Sequence, residues 1–384
     1  MSKKFDLIVI GGGILGSFHA YHAISAGLKV LLLEQDLKPQ SATTRNFGQV
    51  VPSGMNTKWQ NYGRESLRLY KAIQQQFDIT VRQNGSVYLA SNEDEVRLIE
   101  ELHTINRHND YTSTLLTKKQ CLDKYPGLRQ DYIQAGLFFP DEITVEPRTM
   151  IHKLQQYLIE NKGLTVLYNT KAIHTEKTPT GVEVVTADQV KHVATKVIIC
   201  NGSDFKTLYP GYFAQSDLEI SKLQMLRTRP QAGYRLPGSI LTGWSIRRYE
   251  AFYECPSFKE IKAKEDPQSQ QKKWSVHILF KQAVDGSVIL GDSHEYADAK
   301  DADSLDYELN MDIDNFMIAE AKKIIDLPTY EIQDRWYGIY AQCKNSDIFQ
   351  KTIDKDIHII TGIGGKGMTG SAGFSKENIT RLLK

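Results

Sequence analysis

The chain has 384 residues, with 47 Lys and Arg against 46 Asp and Glu, and 41% apolar and 10% aromatic residues. Its length exceeds one ordinary domain, its balanced charge offers no basic excess for nucleic-acid phosphates or anionic lipid, and its apolar content excludes a disordered chain. The cysteines Cys121, Cys200, Cys255 and Cys343 form no C-x-x-C pair, so neither a disulfide framework nor a zinc site is expected, and a cytoplasmic location is.

In chain order, residues 5–10 form a short apolar β-rich run, residues 14–26 carry small and apolar residues at helical spacing, and residues 29–33 form a second β run ending at Glu34. Strand, glycine turn, helix and strand in that order predict the opening βαβ unit of a doubly wound sheet. The apolar stretch from Phe5 to Phe18 contains Asp6 and is shorter than the roughly 20 residues that span a bilayer, so no integral membrane segment is expected. Val96, Ile99, Leu102 and Ile105 are spaced for an amphipathic helix over 93–109. Strands are predicted at 164–167, 182–185 and 193–200, the last ending in Asn201-Gly202. From about 216 to 330, β-like runs such as 274–280 and 287–290 alternate with polar turns, which predicts a second, largely antiparallel unit. Residues 259–273 are almost wholly polar and predict a loop. The strand expected at 356–361 runs into a glycine-rich turn.

Gly11-Gly12-Gly13-Ile14-Leu15-Gly16 satisfies G-x-G-x-x-G between strand and helix. Gly11 permits the tight turn, Gly13 lets backbone approach a pyrophosphate at the helix N-terminus, and Gly16 lets helix pack on strand. Glu34 is placed to accept hydrogen bonds from ribose hydroxyls. The C-terminal Gly364-Gly365-Lys366-Gly367-Met368-Thr369 likewise joins a strand to a helix, so its N–H groups and the helix dipole face an electron-rich ligand edge.

These motifs, the stretch Ser41 to Gly48 and the strand end Val197 to Gly202 together resemble the D-amino-acid oxidase and glycine/sarcosine oxidase family, in order and over nearly the whole chain. The resemblance implies an α/β fold: a Rossmann-type FAD-binding domain (1–80, 145–215 and 331–384) with a second α+β substrate domain (81–144 and 216–330) dominated by an antiparallel or mixed sheet. It implies FAD held by Gly11, Gly13, Ile14, Leu15, Gly16, Glu34, Gln35, Ser41, Thr44, Arg45, Asn46, Ala172, Asn201, Gly202, Gly364, Gly365, Lys366, Gly367, Met368 and Thr369. The implied reaction removes hydride from the carbon beside an amine and passes it to the flavin, leaving an imine that water hydrolyses.

The departures from the family narrow the expectation. Tyr340 stands after Trp336-Tyr337-Gly338-Ile339, where relatives carry a carboxylate-gripping Arg, and Thr369 stands where sarcosine-oxidase-like members carry Lys. Gly338 occupies the place of a flavin-linking Cys and residues 41–48 lack His, so noncovalent FAD is expected. Ile289 stands where some oxidases place an oxygen-activating Lys, which leaves oxygen or another acceptor open. The combination of Arg45 to Gln49, Arg247-Arg248-Tyr249 and Gly291 to Tyr296 resembles a subgroup associated with phosphonate catabolism, whose implied substrates are aminophosphonates. The expected catalytic side chains are Arg45, beside the flavin ring, with His294 and Tyr340. The expected substrate ligands are Gln49, Arg247, Arg248 and Lys366. Adjacent arginines on a strand point to opposite faces, so one of Arg247 and Arg248 is expected to reach a given ligand. No metal site is expected from the spacing of His19, His22 and His277. A sarcosine/glycine-type oxidase and a noncatalytic flavin-binding electron carrier are the alternatives.

Overall fold

The computed structural model describes residues 5–384 and contains an eight-stranded and a nine-stranded sheet, with helices packed against both. Strand β1 (Phe5–Ile10), helix α1 (Ile14–Ser25) and strand β2 (Val30–Leu33) form the expected opening unit. β1 lies parallel between β2 and Lys191–Ile199, and the sheet continues outward through Ile357–Thr361 and Phe349–Ile353 on one side and Thr165–Leu167 on the other. Its central strands are buried on both faces, which is why they read as continuous apolar runs rather than alternating ones. The antiparallel strands Ala172–Thr178 and Gly181–Thr186 hang off Lys191–Ile199.

On one face, α1, the helices Thr57–Gln76 and Pro147–Lys162, and the C-terminal helix Gly367–Leu382 enclose an apolar core with β1 and β2. The C-terminal helix packs against both α1 and Thr57–Gln76 through glycines: a Cβ on Gly373 would lie 2.2 Å from the Tyr62 carbonyl oxygen, and one on Gly370 2.6 Å from the Trp59 ring. Buried His19 ties the same helices together, its Nδ1 meeting the Leu15 carbonyl at 2.7 Å and its Nε2 lying 2.9 Å from Asn378 Nδ2.

The second sheet has nine strands, antiparallel except where Ser239–Leu241 runs parallel to Ser86–Ala90. Its longest pairing joins Leu218–Thr228 to Ile332–Cys343. That corrects the expected boundary, because Ile332–Cys343 lies within the 331–384 segment assigned to the cofactor unit yet belongs to this sheet. Two local expectations also change. The polar stretch 259–273 contains the short helices Phe258–Ala263 and Gln270–Lys273, and the strand expected from Trp274 begins only at Leu279. The helix expected at 93–109 is present as Glu93–His108, with Leu98, Ile99 and Leu102 buried.

Candidate active site

Three adjoining cavities form one trough along the carboxyl ends of the parallel strands. The first, about 490 Å3, is lined by Gly11, Gly13, Glu34, Gln35, Ser41, Ala172, Asn201 and Gly202. Gly11 has φ +101°, and a Cβ there would lie 2.2 Å from the Cys200 carbonyl oxygen; one on Gly16 would lie 2.0 Å from the Gly11 carbonyl oxygen. Gly16 therefore acts by packing and lies off the cavity wall. The Glu34 carboxylate accepts from the backbone N–H of Gly12 at 2.8 Å and of Asp36 at 3.0 Å, while burial pushes its pKa up.

A narrow second cavity, about 100 Å3, is walled by Ile14, Leu15, Thr43, Asn46, Tyr340 and the turn Gly362 to Met368, including Gly364, Gly365 and Gly367. Thr44, expected here, instead bonds the Ser41 carbonyl and faces a surface cleft, while Thr43 Oγ1 accepts from the Ile14 N–H at 3.0 Å. The turn Ala42–Thr44 is 3-10 helical, so successive side chains diverge and the inward position shifts by one. Asn46 holds this turn with its side chain, donating to the carbonyls of Ala42 and Thr43 and accepting from the Gly48 N–H.

The third cavity, about 510 Å3, opens between the glycine turn and the second sheet. It gathers Gln49, Arg248, His294, Tyr340, Lys366, Met368 and Thr369, and adds Tyr249, His277, Asp292 and Tyr296, which the sequence reading missed. Gln49 is 9% exposed and its Nε2 has no partner. Thr369 gives its hydroxyl as acceptor to the Val51 N–H.

Two expected cations, Arg45 and Arg247, lie away from the trough. The Arg45 side chain points away from the trough, donating to the carbonyls of Gln40 and Tyr337, and lines clefts on the outer surface. Arg247 lies at the end of the helical turn Gly243–Ile246, not on a strand, and is held 2.9 Å from the buried Glu95 carboxylate. Lys366 does line the third cavity, but its charge is matched by Glu250 at 2.7 Å and Asp347 at 3.4 Å. Arg248 donates to the Ser275 carbonyl at 3.1 Å and the Tyr296 hydroxyl at 2.8 Å, both neutral oxygens. Ile289 is buried among the apolar side chains of the second sheet and does not line the cavity.

His277, Asp292 and His294 converge, with ligand-capable atoms within 4.8 Å of one another. Burial alone would raise the Asp292 carboxyl, but His294, His277 and Arg248 bring it down to about 2. Burial and then the Arg248 charge hold His294 well below 6.5, against the pull of Asp292; burial also lowers His277. These directions favour an ionised Asp292 and the neutral form of both imidazoles. The guanidinium beside all three opposes a divalent cation there.

The trough fits FAD on its own chemistry. Gly13 and Lys366, the N-caps of α1 and the C-terminal helix, provide no side-chain cap, which leaves N–H groups for a ligand. Asn201 Oδ1 is buried without a partner on the first cavity. Glu34 and Gln35 would hold the adenosine ribose, the α1 N-terminus the pyrophosphate, and the turn from Gly364 to Thr369 the flavin.

A sheet with a parallel centre and a glycine turn at each end of such a trough defines a dinucleotide-binding protein. The profile of the DAO family, described as FAD dependent oxidoreductase, matches residues 6–378, and the chain belongs to that family. It is 20% identical over 380 residues to a glycerol 3-phosphate dehydrogenase of Caloramator mitchellensis, covering 97% of this chain and 72% of the relative. It is 25% identical over 198 residues to the glycine oxidase of Bacillus subtilis strain 168, a match that covers 47% of this chain and 52% of that enzyme, about half of each. The fold is that of glycine oxidase from Geobacillus kaustophilus, with TM-score 0.78, 14% identity and 99% and 94% of the two chains covered. It is also that of L-alpha-glycerophosphate oxidase from Mycoplasma pneumoniae with FAD bound, with TM-score 0.76, 18% identity and 99% and 95% covered. Among the described residues no helix is long and apolar enough to cross a membrane.

Proposed function

We propose that this FAD-dependent oxidoreductase oxidises a small anionic amine, with an aminophosphonate such as 2-aminoethylphosphonate or its N-methyl form as substrate and FAD held noncovalently. The observation that carries the reading is Arg248, a cation of the third cavity that bonds only neutral oxygens, in a cavity that also ends on the glycine turn. Tyr340 and Thr369 stand where relatives place carboxylate anchors, so the anion is taken by a different wall. Two similar proteins whose names specify a glycerol phosphate support a family site that admits a phosphorus oxyanion.

Bound FAD supplies the acceptor for a hydride from the carbon next to the amine. The chain's own residues do the rest. Arg248 and the Tyr296 hydroxyl anchor the anion, which fixes where the amine lies. Gln49 Nε2, buried and unpartnered, and the Tyr340 hydroxyl are polar groups on the wall nearer the flavin turn. Met55, Leu223 and Leu279 on the same cavity keep its wall apolar and favour the amine as free base by excluding water. Water then hydrolyses the imine to a carbonyl and a free amine, and the two electrons taken up would leave to oxygen or another acceptor.

The glycine oxidase relatives favour a second reading, a sarcosine- or glycine-type amino acid oxidase whose carboxylate sits at Arg248. The test is anaerobic bleaching of the flavin band by N-methyl-2-aminoethylphosphonate, 2-aminoethylphosphonate, sarcosine, glycine and glycerol 3-phosphate, each alone. Bleaching by a phosphonate is expected. Bleaching by sarcosine or glycine alone moves the function to the second reading, bleaching by glycerol 3-phosphate alone replaces amine with alcohol oxidation, and silence from all five defeats both amine readings.

A further inference from the structure

The cluster around Arg248 has more parts than a simple anion anchor needs. Arg248 Nη1 and His294 Nδ1 both meet the Ser275 carbonyl, at 3.1 and 3.3 Å. A carbonyl only accepts, so the neutral His294 ring carries its proton on Nδ1 and leaves Nε2 as a base. The Tyr296 ring stacks on His294 with centroids 6.0 Å apart, and its hydroxyl accepts from Arg248. Behind them, Asp292 Oδ1 lies 2.6 Å from His277 Nε2 and 4.0 Å from His294 Nδ1, and has no well-aligned hydrogen bond. Ser245 closes the far side of His277 at 3.1 Å.

Counting charge decides what the cluster does. With both imidazoles neutral, the Arg248 cation and the Asp292 anion cancel. A monoanion entering this pocket meets an overall neutral cluster, and a dianion creates twice the deficit in surroundings where burial strengthens every charge interaction. The nearest way to supply positive charge is a proton on His294 Nε2. The other groups facing the cluster do not offer one: both ring nitrogens of His277 are taken, Nε2 by Asp292 at 2.6 Å and Nδ1 by the Ser245 hydroxyl at 3.1 Å, the phenols of Tyr249 and Tyr340 are pushed up by burial and stay neutral, Tyr296 already bonds Arg248, and Lys366 across the cavity is committed to Glu250 and Asp347.

We propose that Arg248, His294 and the Asp292–His277 pair form a subsite for a tetrahedral dianion that takes up a proton as it fills, the proton passing from the buffer to His294 Nε2. The proposal rests on the anion half of the function argued above. The subsite discriminates by charge state: Arg248 attracts any anion, while the proton-accepting imidazole adds affinity for a dianion over a monoanion of the same shape. Asp292 keeps the protonated state accessible by lying between the two rings.

The experiment uses the FAD-loaded enzyme and two tetrahedral probes that do not titrate near neutrality, inorganic sulfate and methanesulfonate. Binding is measured by calorimetry in two buffers of different ionisation enthalpy, from pH 6.5 to 8. Sulfate is expected to take up about one proton and to weaken by up to about tenfold per pH unit as pH rises, whereas methanesulfonate changes less than about twofold. In His294→Gln that retains its flavin spectrum, the sulfate dependence falls to that of methanesulfonate. Sulfate binding with no proton uptake, an equal pH dependence for both probes, or no sulfate binding each overturns the subsite. Flavin bleaching by aminophosphonate in the same preparation is read separately, so the proposed reaction can stand while the subsite falls.

Discussion

The two ends of the trough are built from different materials. Around the first cavity most of the working groups are backbone: the Gly11 to Gly16 turn, an uncapped helix N-terminus and strand ends, where an added Cβ at Gly11 or Gly16 would meet a carbonyl near 2 Å. Glu34, Gln35 and Asn201 add side chains at the rim. Around the third cavity they are side chains drawn from separate segments, Gln49, Arg248, His277, Asp292, His294 and Tyr340, whose charges are partly matched and partly left over. The first wall is selective through shape and tolerates no added atoms. The second is selective through charge and can be altered without moving the chain. Substitutions at the two ends should therefore fail in different ways.

The largest effect is expected from Gly16→Ala, whose Cβ would press on the Gly11 carbonyl. Overpacking against backbone should cost about 3 kcal/mol or more, and the purified protein should lose its yellow colour together with a drop in melting temperature. Next, Arg247→Gln strands the Glu95 carboxylate, 3% exposed at its side chain, and should cost about 3 kcal/mol in urea unfolding with no change in KM. Equal KM changes at Arg247 and Arg248 would erase the distinction drawn between them.

Acid should act on the cofactor end. Burial lowers His19 to about 4, helped by the nearby His22 and opposed by its bond to the Leu15 carbonyl. The folded state thus binds fewer protons than the unfolded one between pH 6.5 and 4, so stability present above 6.5 is lost as pH falls through that window, by up to about 3 kcal/mol. Melting curves should show the loss, and His19→Gln should reduce it, leaving the share that His22, also lowered to about 4 by burial, contributes in the same window. Arg248→Gln should raise the apparent Kd of the reducing amine about 30-fold, near 2 kcal/mol for a charged hydrogen-bonding group, while flavin content stays normal. The smallest change is expected from Thr43→Val, which removes the acceptor for the Ile14 N–H: about 1 kcal/mol, read as a modest loss of FAD affinity by titration of the apoprotein.

The cofactor end was legible because its parts are contiguous in the chain: Gly11 to Gly16 and Gly364 to Thr369 each carry their geometry in a few adjacent residues. Its slips were Thr44 for Thr43, from a 3-10 turn whose side-chain directions no periodicity announces, and Arg45 among the cofactor ligands. The other end depends on pairing. His277 and Asp292 meet because Leu279–Gln282 and Val288–Gly291 form a hairpin in which Leu279 faces Gly291, with the His277 N–H bonded to the Asp292 carbonyl at 3.0 Å. Counting outward from the turn at Asp285-Gly286 would have brought the two together. Arg45 and Arg247 were misplaced for a simpler reason: nothing in their neighbourhood in sequence indicates Tyr337 or Glu95, the partners that hold them. The strand Ile332–Cys343 falls in the 331–384 segment that the family resemblance gives to the cofactor unit, whereas its hydrogen bonds go to Leu218–Thr228.

The cradle's two glycine turns lie at opposite ends of the described chain, and the C-terminal helix that completes it is also a wall of the core shared with α1 and Thr57–Gln76. During translation, domains fold as they emerge, yet the opening βαβ unit lacks its closing turn until residue 369 has left the ribosome. Loading of the cofactor is thereby placed after synthesis has passed both turns. A nascent chain arrested before Ile357 should retain no flavin, whereas one released after Leu382 should acquire it.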